Sequence, residues 1–189
     1  PVHTFNAATD GVLPMSLMQA SDGNFYGGTL HTTRAGGGGV LFRMTPQGSV
    51  TVLHSFDTDP NSPYWALAPL VEGADGSLYG TTYGGGKYYC GEAFKLSKSG
   101  GYTVLHDFDP AAESCYANGL TLAPDGNFYG TTNYLLQGTG VPPNQGAVFR
   151  MTPDGTVTVL HVFQSGADVG RPLGTLTLGS DGNLYGVSL

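Results

Sequence analysis

The sequence DGNFYG at residues 22–27 recurs as DGSLYG at 75–80, DGNFYG at 125–130 and DGNLYG at 181–186. Two further strings recur between these copies in a constant order. They are LFRMTPQG at 41–48, AFKLSKSG at 93–100 and VFRMTPDG at 148–155, then VLHSF at 52–56, VLHDF at 104–108 and VLHVF at 159–163. Three strings in one order, at intervals of 50 to 56 residues, indicate a tandem array of one structural unit.

Each unit contains four short runs that are typical of β-strands and are joined by tight turns. An Asp-Gly turn links the first run to the second, and in two of three copies a Pro-x-Gly turn links the third to the fourth. Four antiparallel strands in a unit of about 50 residues are typical of a propeller blade. We therefore predict an all-β, β-propeller-like array of four-stranded antiparallel blades, with three complete blades and partial blades at both ends.

The unit boundaries follow from the positions of the strings. We predict one repeat domain over residues 1–189, with repeats at about 6–56, 57–108 and 109–163 and a partial repeat at 164–189. Val2–Phe5 is predicted as the fourth strand of a preceding blade. Three interpretations of the incomplete units stay open: a segment of a longer array, a ring closed by a defective blade, or open strand edges that pair between chains.

Composition excludes several classes of protein and partner. The 31 Gly and 12 Pro among 189 residues, with only 11% charged residues, exclude a helical bundle or a coiled coil. Seven Lys and Arg against 14 Asp and Glu give a net charge of −7, so we expect no nucleic-acid partner. Because no uncharged apolar run approaches about 18 residues, we expect no membrane insertion in this segment.

The strings DGNFYGTT at 125–132, VFRMTPDG at 148–155 and TVTVLHVF at 156–163 resemble the GloVer tandem repeat of choice-of-anchor bacterial surface proteins. The resemblance covers essentially the whole chain, and the strand plan also resembles propeller blades of the NHL and SMP-30 type. It implies an exported, surface-attached protein, and it carries no established catalytic residues. The chain departs from the repeat pattern at Ser97-Lys98 and in its long loops.

Residues that recur in every copy are expected to serve the blade, whereas binding or catalytic residues usually occur once. The recurring positions are the fourth-strand histidines and the turn aspartates: His3, His54, His106, His161, Asp22, Asp75, Asp125 and Asp181. Strand alternation places each His on the same face as the Phe two residues later. We predict packing residues between blades, with the His side chains hydrogen-bonded to turn aspartates. A ring of metal ligands or catalytic bases is the alternative.

The long, dissimilar loops are predicted to lie on one face of the blades. They are the connections between second and third strands and those between blades, and loops on a rigid scaffold often carry function. Cys90 and Cys115 fall in two of these loops. We predict a disulfide between them, which fits an oxidising, exported setting. A reactive or metal-binding thiol is the alternative, although no His-Cys spacing supports it.

Aromatic residues that do not repeat cluster in the same loops. They are Tyr64, Trp65, Tyr83, Tyr88, Tyr89, Tyr116 and Tyr134. Their flat apolar rings with a polar tip suit a sugar ring or a protein surface, so we predict a binding surface that includes Trp65, Tyr88 and Tyr89. The alternative is that these rings only cover the core beneath the loops.

Catalytic and metal-binding patterns are poor. The candidates for acid–base chemistry are His31, Arg34, Glu92 and Glu113, and no catalytic residue is predicted from them. No metal or other cofactor is predicted. The run Asp57, Asp59, Asn61 lacks the Gly and the closing Glu of an EF-hand loop, which leaves a looser Ca²⁺ site as the alternative.

These patterns predict an extracellular or cell-surface bacterial module without chemistry of its own. We expect it to bind a glycan or a protein, or to form a homo-oligomer, through its loop face or its unpaired strand edges. Two alternatives stay open: a carbohydrate-active enzyme, as a polysaccharide lyase or glycoside hydrolase, and a structural subunit of an extracellular polymer.

Overall fold

The computed structural model of the chain describes residues 2–32, 38–56, 66, 68–133, 144–164 and 171–188. These residues form fourteen β-strands and no helix. The strands are β1 (Val12–Gln19), β2 (Phe25–His31), β3 (Val40–Met44), β4 (Val50–Ser55), β5 (Val71–Glu72), β6 (Leu78–Thr81), β7 (Glu92–Leu96), β8 (Tyr102–Asp107), β9 (Ala117–Leu122), β10 (Phe128–Asn133), β11 (Asn144–Met151), β12 (Val157–Gln164), β13 (Pro172–Leu178) and β14 (Leu184–Ser188).

The strands form four antiparallel sheets, each with its strands in sequence order. Blade 1 is β1–β4, blade 2 is β5–β8, blade 3 is β9–β12, and blade 4 is the hairpin β13–β14. Three complete four-stranded blades followed by a partial one confirm the predicted fold class.

The repeated DG-x-x-Y pattern builds the hairpin turn between the first and second strands. In blade 3, Gly126 has a φ of 80°, in the left-handed region that favours glycine. The Asp125 carboxylate accepts hydrogen bonds from the backbone N–H of Asn127 at 3.0 Å and from the hydroxyl of Tyr129 at 2.8 Å. The other three units repeat both bonds, with Tyr26, Tyr79 and Tyr185 as the hydroxyl donors. Each copy of the string is therefore a self-contained turn.

The apolar cores lie between successive blades. Tyr26, Leu41 and Phe56 of the first unit pack with Leu78, Phe94 and Leu96 of the second. Tyr79, Ala93 and Phe108 of the second unit pack with Phe128, Phe149 and Met151 of the third. Each blade thus completes its burial only against its neighbours, as in other repeat proteins.

In each complete blade, a glycine of the second strand provides space for a phenylalanine ring of the third strand. A Cβ atom added at Gly80 would lie 2.6 Å from Cζ of Phe94, and one added at Gly130 would lie 2.5 Å from Cζ of Phe149. The Tyr-Gly pair in the repeat is therefore a packing requirement: the Phe ring lies directly over the glycine backbone.

The prediction of a strand at Val2–Phe5 is wrong, because this segment is not part of any sheet. It nevertheless lies where a fourth strand would lie. The carbonyl oxygen of Val2 would be 2.1 Å from a Cβ added at Gly48, just as Leu53 approaches Gly100 in the next pair of blades. The Phe5 ring contacts that of Phe42, with centroids 5.0 Å apart. The described residues place no third strand beside the segment, so its backbone has no ladder to join.

The face with the tight turns is connected across blades by a charged group. The Lys98 ammonium donates to Oε1 of Glu72 at 2.5 Å and to Oγ of Ser21 at 3.2 Å. Burial opposes ionisation of Glu72, but the hydrogen bonds from Lys98 and Ser21 outweigh it and lower the pKa of the carboxyl group. The departure at Ser97-Lys98 therefore supplies a link between blades 1 and 2.

Candidate functional site

Two loops of blade 2 are joined side by side and form the candidate site. The blade-2 loop cluster consists of residues 82–91, between β6 and β7, and residues 108–116, between β8 and β9. Cys90 and Cys115 form a disulfide across the two loops, which confirms the predicted pairing. The backbone N–H of Tyr116 also donates to the carbonyl of Cys90 at 2.9 Å. Both cysteines are buried, so the cross-link lies beneath the surface of the cluster.

The predicted aromatic residues of this cluster fall into two pairs. The rings of Tyr83 and Tyr116 are stacked, with centroids 4.6 Å apart and planes 21° apart. Tyr88 and Tyr89 are instead exposed, by 38% and 60%. The Lys87 ammonium lies 4.8 Å from the centre of the Tyr88 ring. The exposed pair presents the apolar and hydroxyl groups of the cluster to solvent.

Left-handed backbone conformations occur in both loops of the cluster. Tyr89 has a φ of 59°, and Ser114 and Tyr116 have values of 70° and 60°. Non-glycine residues in this region carry strain of order 1–3 kcal/mol each and persist where surrounding contacts determine the backbone. Three strained residues beside one disulfide indicate that the surrounding structure imposes the shape of the cluster.

Other predicted site residues lie outside the cluster or outside the described residues. His31 is the last residue of β2, opposite Val12 of β1. Arg34, Tyr64, Trp65 and Tyr134 lie outside the described residues, as do Asp57, Asp59 and Asn61.

Glu92 is buried at the start of β7, beside the loop cluster. The residue is only 5% exposed, and its Oε2 atom accepts a hydrogen bond from the Tyr102 hydroxyl at 3.2 Å. Burial raises the pKa of Glu92 to about 7, against the opposing effect of that hydrogen bond, and the charge of Asp107 raises it further. The Tyr102 ring stacks on His54 with centroids 4.0 Å apart, and burial lowers the pKa of that histidine.

Glu113 pairs with a repeated histidine. Its Oε2 lies 2.7 Å from Nε2 of His106 and also accepts from the backbone N–H of Asp109 at 3.2 Å. His3 and Asp10 form the same arrangement at 2.6 Å. The predicted partners of the histidines, the turn aspartates, are therefore wrong at these two positions. The turn aspartates instead accept hydrogen bonds from their own turns and tyrosines.

A constant spacing in the sequence, which lies outside the repeated strings, identifies the acidic partner of these histidines. Asp10 and Glu113 each lie seven residues after their histidine, and Asp168 stands at the same distance from His161. His54 has Asn61 at this distance. The spacing was obscured because it crosses from the fourth strand into the dissimilar connections. His3 and His106 make edge-to-face contacts with Phe5 and Phe108, on the predicted face, with ring centroids 4.9 and 5.2 Å apart.

The face with the tight turns also carries a concave surface, between blades 2 and 3. A groove of about 430 Å³ is lined by Asp75, Lys95 and Asp154, with Tyr79 and Phe128 as its aromatic groups. Nζ of Lys95 lies 2.7 Å from the Asp75 carboxylate and lowers the pKa of Asp75 to about 2. The groove thus contains an ion pair between two positions of the repeat, a turn aspartate and a third-strand cation, rather than a unique catalytic group.

The part of the chain that the structure describes places no group of three or more His, Cys, Asp or Glu side chains where they could hold a metal ion. No helix among the described residues is long and apolar enough to cross a membrane.

Solved structures share the fold at low sequence identity. A candidate gluconolactonase has a TM-score of 0.60 at 15% identity, with 96% of this chain and 58% of that chain covered. The extracellular domain of a candidate hybrid two component system from B. thetaiotaomicron has a TM-score of 0.62 at 14% identity, with coverage of 97% and 22%. A gluconolactonase from Xanthomonas campestris has a TM-score of 0.58 at 19% identity, with coverage of 96% and 55%.

The chain spans 58%, 22% and 55% of the lengths of these three proteins, and the likeness shows the propeller-type fold alone. No curated protein matches the sequence. The family model of the Gloeobacter/Verrucomicrobia repeat matches residues 2–189, which includes all three complete blades and the final hairpin. The chain belongs to the Gloeobacter/Verrucomicrobia repeat family.

Proposed function

We propose that this protein is a non-enzymatic binding module exported to a bacterial cell surface, and that the blade-2 loop cluster binds a neutral glycan or a protein. The observation that carries the proposal is the exposed pair Tyr88 and Tyr89 on a loop that the Cys90–Cys115 disulfide holds in place. Exposed tyrosine rings offer large contact areas at a small cost in conformational entropy.

The rigidity of the loop supports a binding role. The backbone N–H of Tyr89 donates to the carbonyl of Gly86 at 3.2 Å, and that of Gly91 donates to Gly85 at 3.0 Å. A surface held in one shape before contact loses less entropy when it binds. Tyr88 and Tyr89 therefore form a preorganised surface rather than two independent side chains.

The charge of the protein favours a neutral ligand. The chain has seven Lys and Arg residues in total, and Lys87 lies over the Tyr88 ring. One cation is too little to neutralise a run of phosphates, since tight binding of such polymers uses many contacts. Ring faces, hydroxyls and backbone groups remain for recognition, and these suit sugar rings or an uncharged protein surface.

Two observations support export. Disulfides persist in oxidising compartments, and this one is buried between two loops. The fold neighbours also include the extracellular domain of a candidate hybrid two component system. We therefore infer an extracellular location for the binding surface.

The test is a panel of neutral polysaccharides and their oligosaccharides, measured by calorimetry with the wild-type protein and with Tyr88→Ala and Tyr89→Ala. We expect each substitution to weaken binding about tenfold, because a stacked aromatic contact is lost. Tyr185→Ala is the matched control, since Tyr185 is also exposed but lies on blade 4. Equal affinities for all four proteins would overturn the proposal.

A carbohydrate-active enzyme is the second candidate, and the raised pKa of Glu92 is the observation that favours it. A carboxyl group that is half protonated near neutral pH suits a general acid. The same panel is therefore assayed for released reducing ends or unsaturated products. If the wild type releases products and Glu92→Gln or His31→Ala does not, while binding is retained, the protein is a carbohydrate-active enzyme and the non-enzymatic proposal is wrong.

A further inference from the structure

Two carboxyl groups lie beneath the tip of the first loop of the blade-2 loop cluster. Glu92, the first residue of β7, is paired in register with Asp107, the last residue of β8. A Cβ atom added at Gly86 would lie 2.7 Å from Oδ1 of Asp107 and 3.1 Å from Oε1 of Glu92. The two oxygens are therefore within about 6 Å of each other, a distance at which one negative charge opposes the formation of a second.

The surroundings of Glu92 favour its neutral form. The residue is buried, and the Tyr102 hydroxyl donates to its Oε2 atom. No ion pair among the described residues includes Glu92 or Asp107. The Lys87 ammonium lies over the Tyr88 ring instead. Because a buried carboxylate without a cation is costly, ionisation of Glu92 strains the packing above it.

Titratable or charged groups face Glu92 from β8, from its own loop, from the connection to blade 3 and from β4. They are Tyr102 and Asp107, Lys87, Asp109, and His54, which stacks on Tyr102. Burial lowers the pKa of His54 and raises the pKa of Tyr102, so both rings are mainly neutral near pH 7. A charge formed on Glu92 therefore meets the charge of Asp107 without help from either ring.

The tip of the loop rests on this carboxyl pair through few contacts. The backbone N–H of Lys87 donates to Oδ1 of Asp107 at 2.7 Å, and that of Tyr89 donates within the tip to the carbonyl of Gly86 at 3.2 Å. Gly86 has a φ of 73°, in the left-handed region, and lies against both carboxyl groups. One hydrogen bond and one glycine contact thus connect the tip to the strands beneath it.

The residues on either side of the tip are held more firmly. The backbone N–H of Glu92 donates to Oγ1 of Thr82 at 3.0 Å, and its carbonyl accepts from the N–H of Thr82 at 2.9 Å. The disulfide to Cys115 anchors Cys90. Strain at the carboxyl pair is therefore relieved by movement of residues 86–89 rather than by movement of β7.

We propose that residues 86–89 form a pH-operated flap, which is closed over the neutral Glu92 carboxyl group and opens when this group ionises. Opening breaks the backbone hydrogen bond of Lys87 and separates Tyr88 and Tyr89 from their shared surface, so ligand binding is stronger in mildly acidic solution. The effect on binding rests on the function proposed above, whereas the flap itself does not. The pKa of Glu92, raised to about 7 by burial, places the transition near neutral pH.

Amide hydrogen exchange, followed residue by residue by NMR, measures the opening without any ligand. The reporters are the N–H groups of Lys87 and Tyr89. The closed-state pKa of about 7 lies above the ordinary value of 4.5, so the closed flap binds more protons and closure weakens as pH rises through 7. After correction for the intrinsic exchange rate, we expect the protection of both amides to fall about tenfold from pH 6 to pH 8.

Glu92→Gln is the matched variant, because it keeps the shape of the side chain and cannot ionise. The protection of Lys87 and Tyr89 should not depend on pH in this variant. The Gly126 N–H, which donates to the Ala123 carbonyl in a turn of blade 3, is the control amide and should not respond in either protein. Constant protection in the wild type, or an equal fall in Glu92→Gln, would overturn the proposal. Protection as high as that of the β7–β8 ladder would also overturn it, since the flap would then not open separately.

Asp107→Asn tests the carboxyl pair and does not depend on the folding of Glu92→Gln. It keeps an oxygen that can accept from the Lys87 N–H but removes the neighbouring charge. We expect the fall in protection to move to lower pH, because ionisation of Glu92 then meets less opposition. An unchanged midpoint would show that Asp107 takes no part and would overturn the role of the pair.

Binding is measured by calorimetry at pH 6 and pH 8 with the neutral oligosaccharide of the panel that binds most tightly. The affinity of the wild type is expected to fall with rising pH, and that of Glu92→Gln to stay constant. Constant wild-type affinity together with pH-dependent exchange would overturn the role of the flap in binding. If no oligosaccharide binds while exchange behaves as expected, the proposed function is contradicted and the flap is not.

Discussion

Glu92 has the most perturbed carboxyl group near the loop cluster, and the reason is its position. It begins β7 and is buried where Gly86 and Tyr102 close over it. A Cβ atom added at Gly86 would lie 2.7 Å from Cγ of Glu92, so only glycine allows the loop to approach this closely. The same close approach that shapes the loop removes water from the carboxyl group and favours its neutral form.

The first prediction concerns the pH dependence of folding stability through Glu92. The folded-state pKa of about 7 lies above the ordinary value of 4.5, so the folded protein binds more protons than the unfolded chain between these values. Its contribution therefore weakens as pH rises from about 4.5 through 7. Between pH 5 and pH 8, we expect wild-type stability to fall relative to Glu92→Gln by about 1–3 kcal/mol, measured by urea unfolding.

Glu72→Gln is the control for this measurement, because its effect has the opposite sign. The pKa of Glu72 is lowered, so its contribution is present above the unfolded pKa and is lost as pH falls toward the folded value. Glu72→Gln should therefore differ most from the wild type at neutral pH and least in acid. A pH-independent difference between Glu92→Gln and the wild type would show that Glu92 is not the group responsible.

The packing of the second strand in each complete blade depends on a glycine. Gly80 lies under both Phe94 and Leu70, at 2.6 and 2.7 Å from an added Cβ. Phe94 is fully buried and belongs to the core between blades 1 and 2. A side chain at position 80 therefore has to displace the ring that joins two blades.

The second prediction is that Gly80→Ala destabilises the protein by about 1–3 kcal/mol, the usual cost of an added group in a filled core. Gly186→Ala should cost clearly less, because only the Leu176 side chain lies near the added atom. Chemical denaturation of the two variants measures the difference. Adding Phe94→Leu to Gly80→Ala should recover part of the loss, since a smaller side chain leaves room for the methyl group. Equal costs at positions 80 and 186 would contradict this account of the strand.

The stability of a repeat protein is approximately a sum of the stabilities of its units and of the contacts between neighbours, and the disulfide adds a covalent restraint at one of these contacts. Cys90 and Cys115 are 25 residues apart and belong to the core between blades 2 and 3. Because each blade contacts only its neighbours, loosening this junction also loosens the loops that carry Tyr88 and Tyr89.

The third prediction follows from the length of the closed loop. Replacement of both cysteines by Ala should lower the unfolding free energy by about 2–4 kcal/mol, since the unfolded chain regains the entropy that the cross-link removes. The wild type in dithiothreitol should lose a similar amount, and the double variant should not respond to the reductant. If reduction leaves wild-type stability unchanged, the cross-link does not restrain the unfolded chain as expected.

The order of strands and turns was predictable from sequence because the information is local and repeated. The Asp-Gly pair places a glycine in the left-handed region, the Asp and Tyr complete the turn, and alternation assigns each strand a buried face. These interactions span at most a few residues, so four copies of the string are enough to identify them. The disulfide was also predictable, because topology places Cys90 and Cys115 in neighbouring loops of one blade.

The pairings that cross between repeats and loops were not predictable in the same way. His106 with Glu113, Tyr102 with Glu92, and Lys98 with Glu72 each join a strand or turn to a residue outside the repeated strings. Val2–Phe5 shows the same limit: its string is that of a strand, but a ladder requires a neighbouring strand.

The all-β tandem array and its turn chemistry follow from the sequence alone, since both arise from short-range backbone and side-chain preferences. Which tyrosines are exposed and which carboxyl group loses its water depend instead on the packing of the folded protein. Exposure and pKa depend on residues that are distant in sequence and that the fold brings close in space, so a local sequence pattern does not predict them.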